Sequence, residues 1–137
     1  KILLYLIFLM YCLSLRKENK MIYDHLKQHF SGLPHEEFYV VYLNFANEII
    51  ETKQLSIGGM TSTVVDGKLL FHYALACQAT GFILSHNHPS GHIGPSEADR
   101  KLTNKMRDFA KLIDMQLIDH LIFTDNGYFS FADEGLL

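Results

Sequence analysis

The segment 85–99 reads SHNHPSGHIGPSEAD and contains the spacing HxHPx6SxxD, in which His86, His88 and Asp99 carry metal-binding side chains. Imidazole nitrogen and carboxylate oxygen bind zinc at about 2.0–2.2 Å, and catalytic zinc sites use three protein ligands so that a fourth position stays open. The segment supplies this set of ligands within one short stretch of chain. We therefore expect a catalytic zinc site built from these three side chains.

The residues around the two histidines predict how they are placed. Residues 81–84 form a short apolar run that indicates a buried strand. Pro89 cannot take part in a strand ladder, so the strand should leave the sheet there. Side chains two residues apart on extended backbone point to the same side. His86 and His88 should therefore converge on one ion at the end of this strand.

Asp99 is expected in the first turn of a helix that covers residues 96–113, where apolar side chains recur at three- and four-residue spacing. Ser96 and Asp99 also form an ordinary N-terminal capping pattern, and this pair alone would favour a structural role. The five motif residues at fixed spacing favour the metal site when they are taken together. Capping and metal binding by Asp99 are compatible with each other.

The motif resembles the metal-binding signature of the JAMM zinc metallopeptidases, also called the JAB or MPN-plus family. With the later strings LIDHLI at 117–122 and YFSFADEGLL at 128–137, it resembles the bacterial RadC-like branch over roughly residues 18–137. The resemblance implies an α+β domain with a mixed sheet flanked by helices. It also implies that the domain hydrolyses peptide or isopeptide amide bonds, with Zn2+ as the cofactor and a peptide or protein as the substrate.

The same resemblance implies a role for each motif residue. His86, His88 and Asp99 would be the zinc ligands, and Ser96 would support the developing oxyanion. The family mechanism also needs an upstream glutamate as general base. We expect that glutamate five residues before Gly58, where this chain has Lys53.

The candidate substitute for the missing base is Glu51. It shares one face with Lys53 if residues 48–57 form a strand. A carboxylate within hydrogen-bond reach of the zinc site would favour an active enzyme. An edge glutamate that only reaches solvent would produce the same sequence pattern.

Two functional hypotheses remain open at this point. The first is a zinc metallopeptidase, and the second is a catalytically weak binding module that retains the metal. A link to DNA repair comes only from the family name. The net charge of -3 and the pI near 6.2 give no support for nucleic-acid binding, which needs concentrated Lys and Arg.

The rest of the chain predicts one α+β domain, whose oligomeric state the sequence leaves open. His120 falls on a predicted strand, where a satisfied core histidine is favoured over a partner that orients a metal ligand. The predicted elements are a helix at 19–30, a hairpin from 38–45 and 48–57, a helix at 67–79, a strand at 81–85, a helix at 96–113 and a hairpin from 117–124 and 128–131.

Residues 1–17 lie before the resemblance and are treated as a separate segment of uncertain role. Residues 2–15 are uncharged and apolar, which is short for a membrane span of roughly 20 residues. For this segment we favour first a docked structural element, second a membrane or signal segment and third a non-native leader. Cys12 and Cys77 form no CxxC pair and indicate no oxidising compartment, so we expect the cytoplasm.

Overall fold

The computed structural model describes residues 1–58 and 65–137, without the side chains at positions 12, 14–16 and 18. Three helices and five strands lie in these ranges. They follow the order α1 (Ile2–Phe30), β1 (Glu37–Leu43), β2 (Ile49–Ile57), α2 (Gly67–Ala76), β3 (Gly81–Asn87), α3 (Glu97–Leu112), β4 (Gln116–Thr124) and β5 (Gly127–Ser130).

The five strands form one mixed sheet with the order β2-β1-β3-β4-β5. β3 is antiparallel to β1 and parallel to β4, and the other neighbouring pairs are antiparallel. All seven residues of β3 are buried, because this strand lies at the centre of the sheet with helices on both sides. The expected α+β fold with a mixed, helix-flanked sheet is confirmed.

Two apolar cores cover the two faces of the sheet. One contains side chains of α2 and α3 packed on Phe38, Val40, Tyr42, Phe82 and Leu84. The other contains side chains of α1 packed on Val41, Leu43, Ile83, Leu121 and Phe123. The alternation of these residues along β1 and β3 follows the two-residue period of a strand. It also assigns His86 to the face of α2 and α3.

Helix α1 is one continuous helix, although only its second half packs on the sheet. Ile22, Leu26 and Phe30 recur every four residues and are at most 5% exposed, as the predicted helix at 19–30 requires. The apolar side chains described between Ile2 and Leu13 are 42% exposed or more. These side chains therefore lie outside the two apolar cores of the sheet, and the role of residues 1–17 stays a prediction. Within the described ranges, no helix combines the length and apolar content that crossing a membrane needs.

Asp119 of β4 joins α1 to the C-terminal part of the chain. Its carboxylate accepts hydrogen bonds from Asn19 Nδ2 at 2.8 Å and from Ser130 Oγ at 2.5 Å. It also accepts from the backbone N–H of His120 at 2.7 Å and of Ala132 at 3.0 Å. Asp119 is fully buried, and the donors from Asn19, His120 and Ser130 belong to buried residues with no ready access to water.

We expect Asp119→Ala to lower the free energy of unfolding by about 3 kcal/mol or more, because each buried donor left unpaired costs about 1–3 kcal/mol. Urea denaturation followed by circular dichroism measures the change. Asp108→Ala is the matched control, since the Asp108 side chain is 66% exposed and should change stability by no more than about 0.5 kcal/mol. Equal effects of the two substitutions would contradict the anchoring role of Asp119.

Candidate metal centre

The end of β3 is held in place from both sides, by the Asn87 side chain on one and by the His88 backbone on the other. The Asn87 side chain donates to the carbonyl of His35 at 2.9 Å and accepts from the N–H of Glu37 at 2.7 Å. On the other side, His88 N–H donates to the carbonyl of Phe123 at 2.9 Å. The backbone of the motif is therefore fixed to β1 and β4, while the two imidazoles project together.

The structure brings His86, His88 and Asp99 to one point. The two Nε2 atoms lie 3.0 Å apart. Asp99 Oδ1 is 3.2 Å from His86 Nε2, and Asp99 Oδ2 is 3.3 Å from His88 Nε2. These three residues can hold a metal ion, since each offers one ligand atom and all of the atoms lie within 4.8 Å of one another.

The hydrogen bonds around His88 show that a cation fits this group. His88 Nδ1 lies 2.7 Å from the carbonyl oxygen of His92, which only accepts, so Nδ1 carries a hydrogen. In the neutral ring, Nε2 is then an unprotonated lone pair that faces the Asp99 carboxylate. Two acceptors at this distance repel unless a proton or a cation lies between them. The donor set of two imidazoles and one carboxylate suits a transition metal such as zinc.

The charges of the site are set by burial and by these contacts. Burial opposes ionisation of Asp99, but hydrogen bonds with His86 and His88 outweigh it and hold the pKa of this carboxyl well below its usual range. Burial also opposes protonation of His88, but Asp99, the His92 carbonyl and the charge of Glu36 outweigh it and raise the pKa of His88. The site therefore favours positive charge at its centre.

Ser96 and Asp99 form the predicted capping box at the start of α3. Ser96 Oγ accepts from Asp99 N–H at 3.0 Å, and Asp99 Oδ2 accepts from Ser96 N–H at 2.8 Å. The cap positions the Asp99 carboxylate at the helix end that faces the histidines. It uses a lone pair of Ser96 Oγ, so the hydroxyl hydrogen is still available as a donor.

Glu51, the residue expected as general base, does not reach the three ligands. It lies opposite Tyr42 in the ladder, and Tyr42 lies opposite Phe82, four residues before His86 on β3. Four residues along a strand span about 13 Å, and the two strand spacings add a sideways offset of about 10 Å. Glu51 Oε1 instead pairs with Lys53 Nζ at 2.8 Å.

Extension of the strand register brings a further carboxylate, Glu36, to the site, at a position that the sequence alone did not indicate. Phe38 lies opposite His86, so extending this antiparallel register by two residues puts Glu36 opposite His88, on the same face of the sheet. The carbonyl of Glu36 accepts from Gly58 N–H at 2.9 Å, and its side chain is half-buried. The alternation of side chains between the two faces of β1 could have indicated Glu36, but only if the pairing of β1 with β3 were already known.

His120 packs directly behind the metal ligands. Its Nε2 lies 2.8 Å from His86 Nδ1, and its Nδ1 lies 2.6 Å from Thr103 Oγ1. The ring is fully buried and stacks on Phe131, with the two ring centroids 4.7 Å apart. Burial, with the nearby imidazoles, lowers the pKa of His120 well below its usual range, so the ring is neutral. The sequence analysis favoured a core histidine, and the structure adds a contact with a ligand.

A groove with a volume of about 640 Å³ opens beside His88, between the end of α1 and the ends of β3 and β4. Aromatic side chains and the turns that follow these elements form its walls, and His88 is the member of the metal group that lines it. The lining residues are Tyr23, Lys27, Gln28, Phe30, Ser31, Gly32, Leu33, Asn87, His88, Pro89, Phe123, Thr124 and Asp125.

This fold and site define an α+β domain with a candidate His-His-Asp metal centre at the end of its central strand. Comparison with known families gives a match to the RadC-like JAB domain over residues 16–136. The chain belongs to this family.

The chain is also similar to curated bacterial proteins named UPF0758. It is 49% identical over 104 residues to one from Flavobacterium johnsoniae, covering 76% of this chain and 45% of that protein. It is 45% identical over 121 residues to one from Porphyromonas gingivalis, covering 88% of this chain and 53% of that protein. The identity to YfjY of Escherichia coli is 40% over 114 residues, covering 83% of this chain and 71% of that protein. The chain thus spans about half the length of the first two relatives.

We expect the purified chain to bind one divalent metal ion, because the three ligand atoms are already gathered. Metal analysis after mild dialysis should find it in the wild-type chain and not in His88→Ala or Asp99→Ala. His72→Ala is the control, since His72 lies on α2 outside the metal group. Metal content that is unchanged in the ligand variants would contradict the assignment.

Proposed function

We propose that this chain is a zinc-dependent metallopeptidase that hydrolyses peptide or isopeptide amide bonds. The observation that carries the proposal is the convergence of His86, His88 and Asp99 beside a half-buried glutamate, Glu36. Family membership supports the same reaction class. The names of the relatives specify no activity, so the proposal depends on the site itself.

The ligand set accounts for the chemistry that the metal would contribute. Two neutral imidazoles and one carboxylate leave a bound zinc ion with one net positive charge and an open position. When bound, the ion would polarise the amide carbonyl and lower the pKa of a water molecule to about 7. The protein must supply the remaining steps.

Glu36 is the side chain that we assign as general base. Its charge acts on His88, and in this assignment its carboxylate takes a proton from the attacking water and passes it to the leaving amine. The carbon–oxygen bond forms first and leaves negative charge on the former carbonyl oxygen, and the carbon–nitrogen bond then breaks as the transferred proton makes the amine a neutral leaving group. Glu51 and Lys53, which pair with each other farther along the sheet, take no part in this assignment.

Ser96 is assigned as the donor to the oxygen that becomes negative in the transition state. The capping box holds Ser96 beside the candidate ligand Asp99, and its hydroxyl hydrogen is not used by the cap and is available for this bond. A donor that is already oriented costs no reorganisation when charge develops, which is why such groups accelerate amide hydrolysis.

We expect Glu36→Gln to lower peptide hydrolysis by about 10^2–10^4-fold while zinc content stays at one ion per chain, since general base catalysis contributes this factor. Cleavage of a peptide mixture and of isopeptide-linked peptides, followed by mass spectrometry, measures the rate.

Glu37→Gln is the matched control for this experiment. Glu37 lies next to Glu36, but its carboxylate contacts His35 and Tyr39 instead of the ligands. Its substitution should leave the rate within about twofold of wild type. A wild-type rate in Glu36→Gln together with a loss in Glu51→Gln would favour Glu51 as base. A zinc-loaded wild-type chain that cleaves none of these substrates would favour the binding-module hypothesis.

We expect Ser96→Ala to lose both stability and turnover. The lost cap should cost about 1 kcal/mol of stability, and the lost oxyanion donor should lower kcat by about 10^2–10^3-fold. Asp66→Ala is the control, because Asp66 caps α2 through Lys68 N–H away from the site and should affect melting temperature alone. If Ser96→Ala melts at a lower temperature but keeps its rate, Ser96 is only a cap.

A further inference from the structure

A chain of three short contacts runs from α3 through β4 to the metal ligand His86. Thr103 Oγ1 lies 2.6 Å from the carbonyl oxygen of Asp99, one helical turn earlier. The same Oγ1 lies 2.6 Å from His120 Nδ1, and His120 Nε2 lies 2.8 Å from His86 Nδ1. Thr103 and His120 are both fully buried, so water does not compete for these contacts.

The contact between Thr103 and Asp99 determines which atom donates the hydrogen in the other two contacts. A carbonyl oxygen only accepts, so the single hydroxyl hydrogen of Thr103 is donated to Asp99. Thr103 Oγ1 must then accept from His120 Nδ1–H. A neutral imidazole carries one N–H, so His120 Nε2 accepts from His86 Nδ1–H. His86 is left with an unprotonated Nε2 that faces the metal centre.

If the hydrogen bonds were donated in the opposite direction, His86 could not bind a metal through Nε2. If His120 donated from Nε2, His86 Nδ1 would accept and its Nε2 would carry the hydrogen. That hydrogen would point at His88 Nε2, 3.0 Å away, and would occupy the lone pair that a metal needs. The two tautomers of His86 therefore differ in metal competence, although neither requires a different position of the ring.

We propose that Thr103 is a positioning residue that, through His120, holds His86 in the tautomer able to bind a metal. The inference depends on the proposed metal site and not on the hydrolytic activity. Thr103 also contacts the backbone of Asp99, so one hydroxyl links two of the three ligands. The ring of Phe38 stacks on the imidazole of His86, with 5.6 Å between the centroids and an interplanar angle of 9°. This contact holds the plane of the His86 ring.

The direct test compares Thr103→Val with Thr103→Ser. Valine keeps the shape but removes the hydroxyl, whereas serine restores it. Imidazole ¹⁵N shifts of the metal-free chain at mildly alkaline pH should show His86 protonated on Nδ1 in wild type and in Thr103→Ser. In Thr103→Val, the same shifts should show that His86 is no longer protonated on Nδ1 alone. Zinc affinity, measured by competition with a chelator, should fall by about 10–100-fold in Thr103→Val alone.

Thr52→Val is the matched control. Thr52 Oγ1 also contacts a histidine, His25 Nε2 at 3.1 Å, but this pair is exposed and lies outside the site. Its substitution should leave both readouts unchanged. Unchanged His86 tautomer and zinc affinity in Thr103→Val would overturn the proposal.

The wild-type spectrum alone provides a second test if Thr103→Val does not fold. Protonation of His86 on Nε2 in the metal-free wild-type chain would overturn the proposal, and protonation on Nδ1 would support it. Neither readout requires a substrate. A chain that shows the expected tautomer and zinc affinity but no hydrolysis would contradict the proposed function and leave this inference intact.

Discussion

The Nε2 atoms of His86 and His88 and the Asp99 carboxylate are held at distances of 3.0, 3.2 and 3.3 Å, and the rest of the site depends on this constraint. Without a shared proton or a cation these groups would repel, so each is also held by a bond on its other side. Asn87 fixes the strand end, and the His92 carbonyl fixes His88. The capping box fixes the carboxylate. The fold thus supplies the rigidity that a metal site with few ligands needs.

The position of β3 explains how a small domain provides this rigidity. The strand is central in the sheet and hydrogen-bonds β1 on one side and β4 on the other, so the backbone that carries the histidines is restrained along both edges. Helix α3 follows directly and returns Asp99 to the same edge. Because α3 also packs against β4 through Thr103 and His120, displacement of the helix would disturb two ligands together.

The sequence predicted those parts of the site that depend on local geometry. The convergence of His86 and His88 follows from the two-residue period of a strand, and the Asp99 cap follows from the helix start. The hairpins and helices after residue 19 were also predicted, mostly to within three residues at their ends. Glu51, the base expected from the sequence, lies on the face of the sheet that carries the ligands but about four residues along the strands from them. Assigning Glu36 requires the register between β1 and β3, which connects positions about fifty residues apart and leaves no local pattern. The contacts of Thr103 with His120 likewise depend on how α3 packs on β4.

The two candidate functions depend on different parts of the fold, one on a local segment and the other on the pairing of distant strands. The metal ligands lie in one continuous segment, so metal binding survives as long as β3 ends and α3 begins as they do here. The proposed base, Glu36, comes from a different part of the chain, directly before β1, and its place beside the ligands depends on the pairing of Phe38 with His86. A shift of one residue in that pairing would turn Glu36 to the other face of the sheet and would leave the three candidate ligands in place. Under the proposed function, metal binding and amide hydrolysis would therefore be physically separable, and the pairing of β1 with β3 would distinguish an enzyme from a metal-retaining binding module.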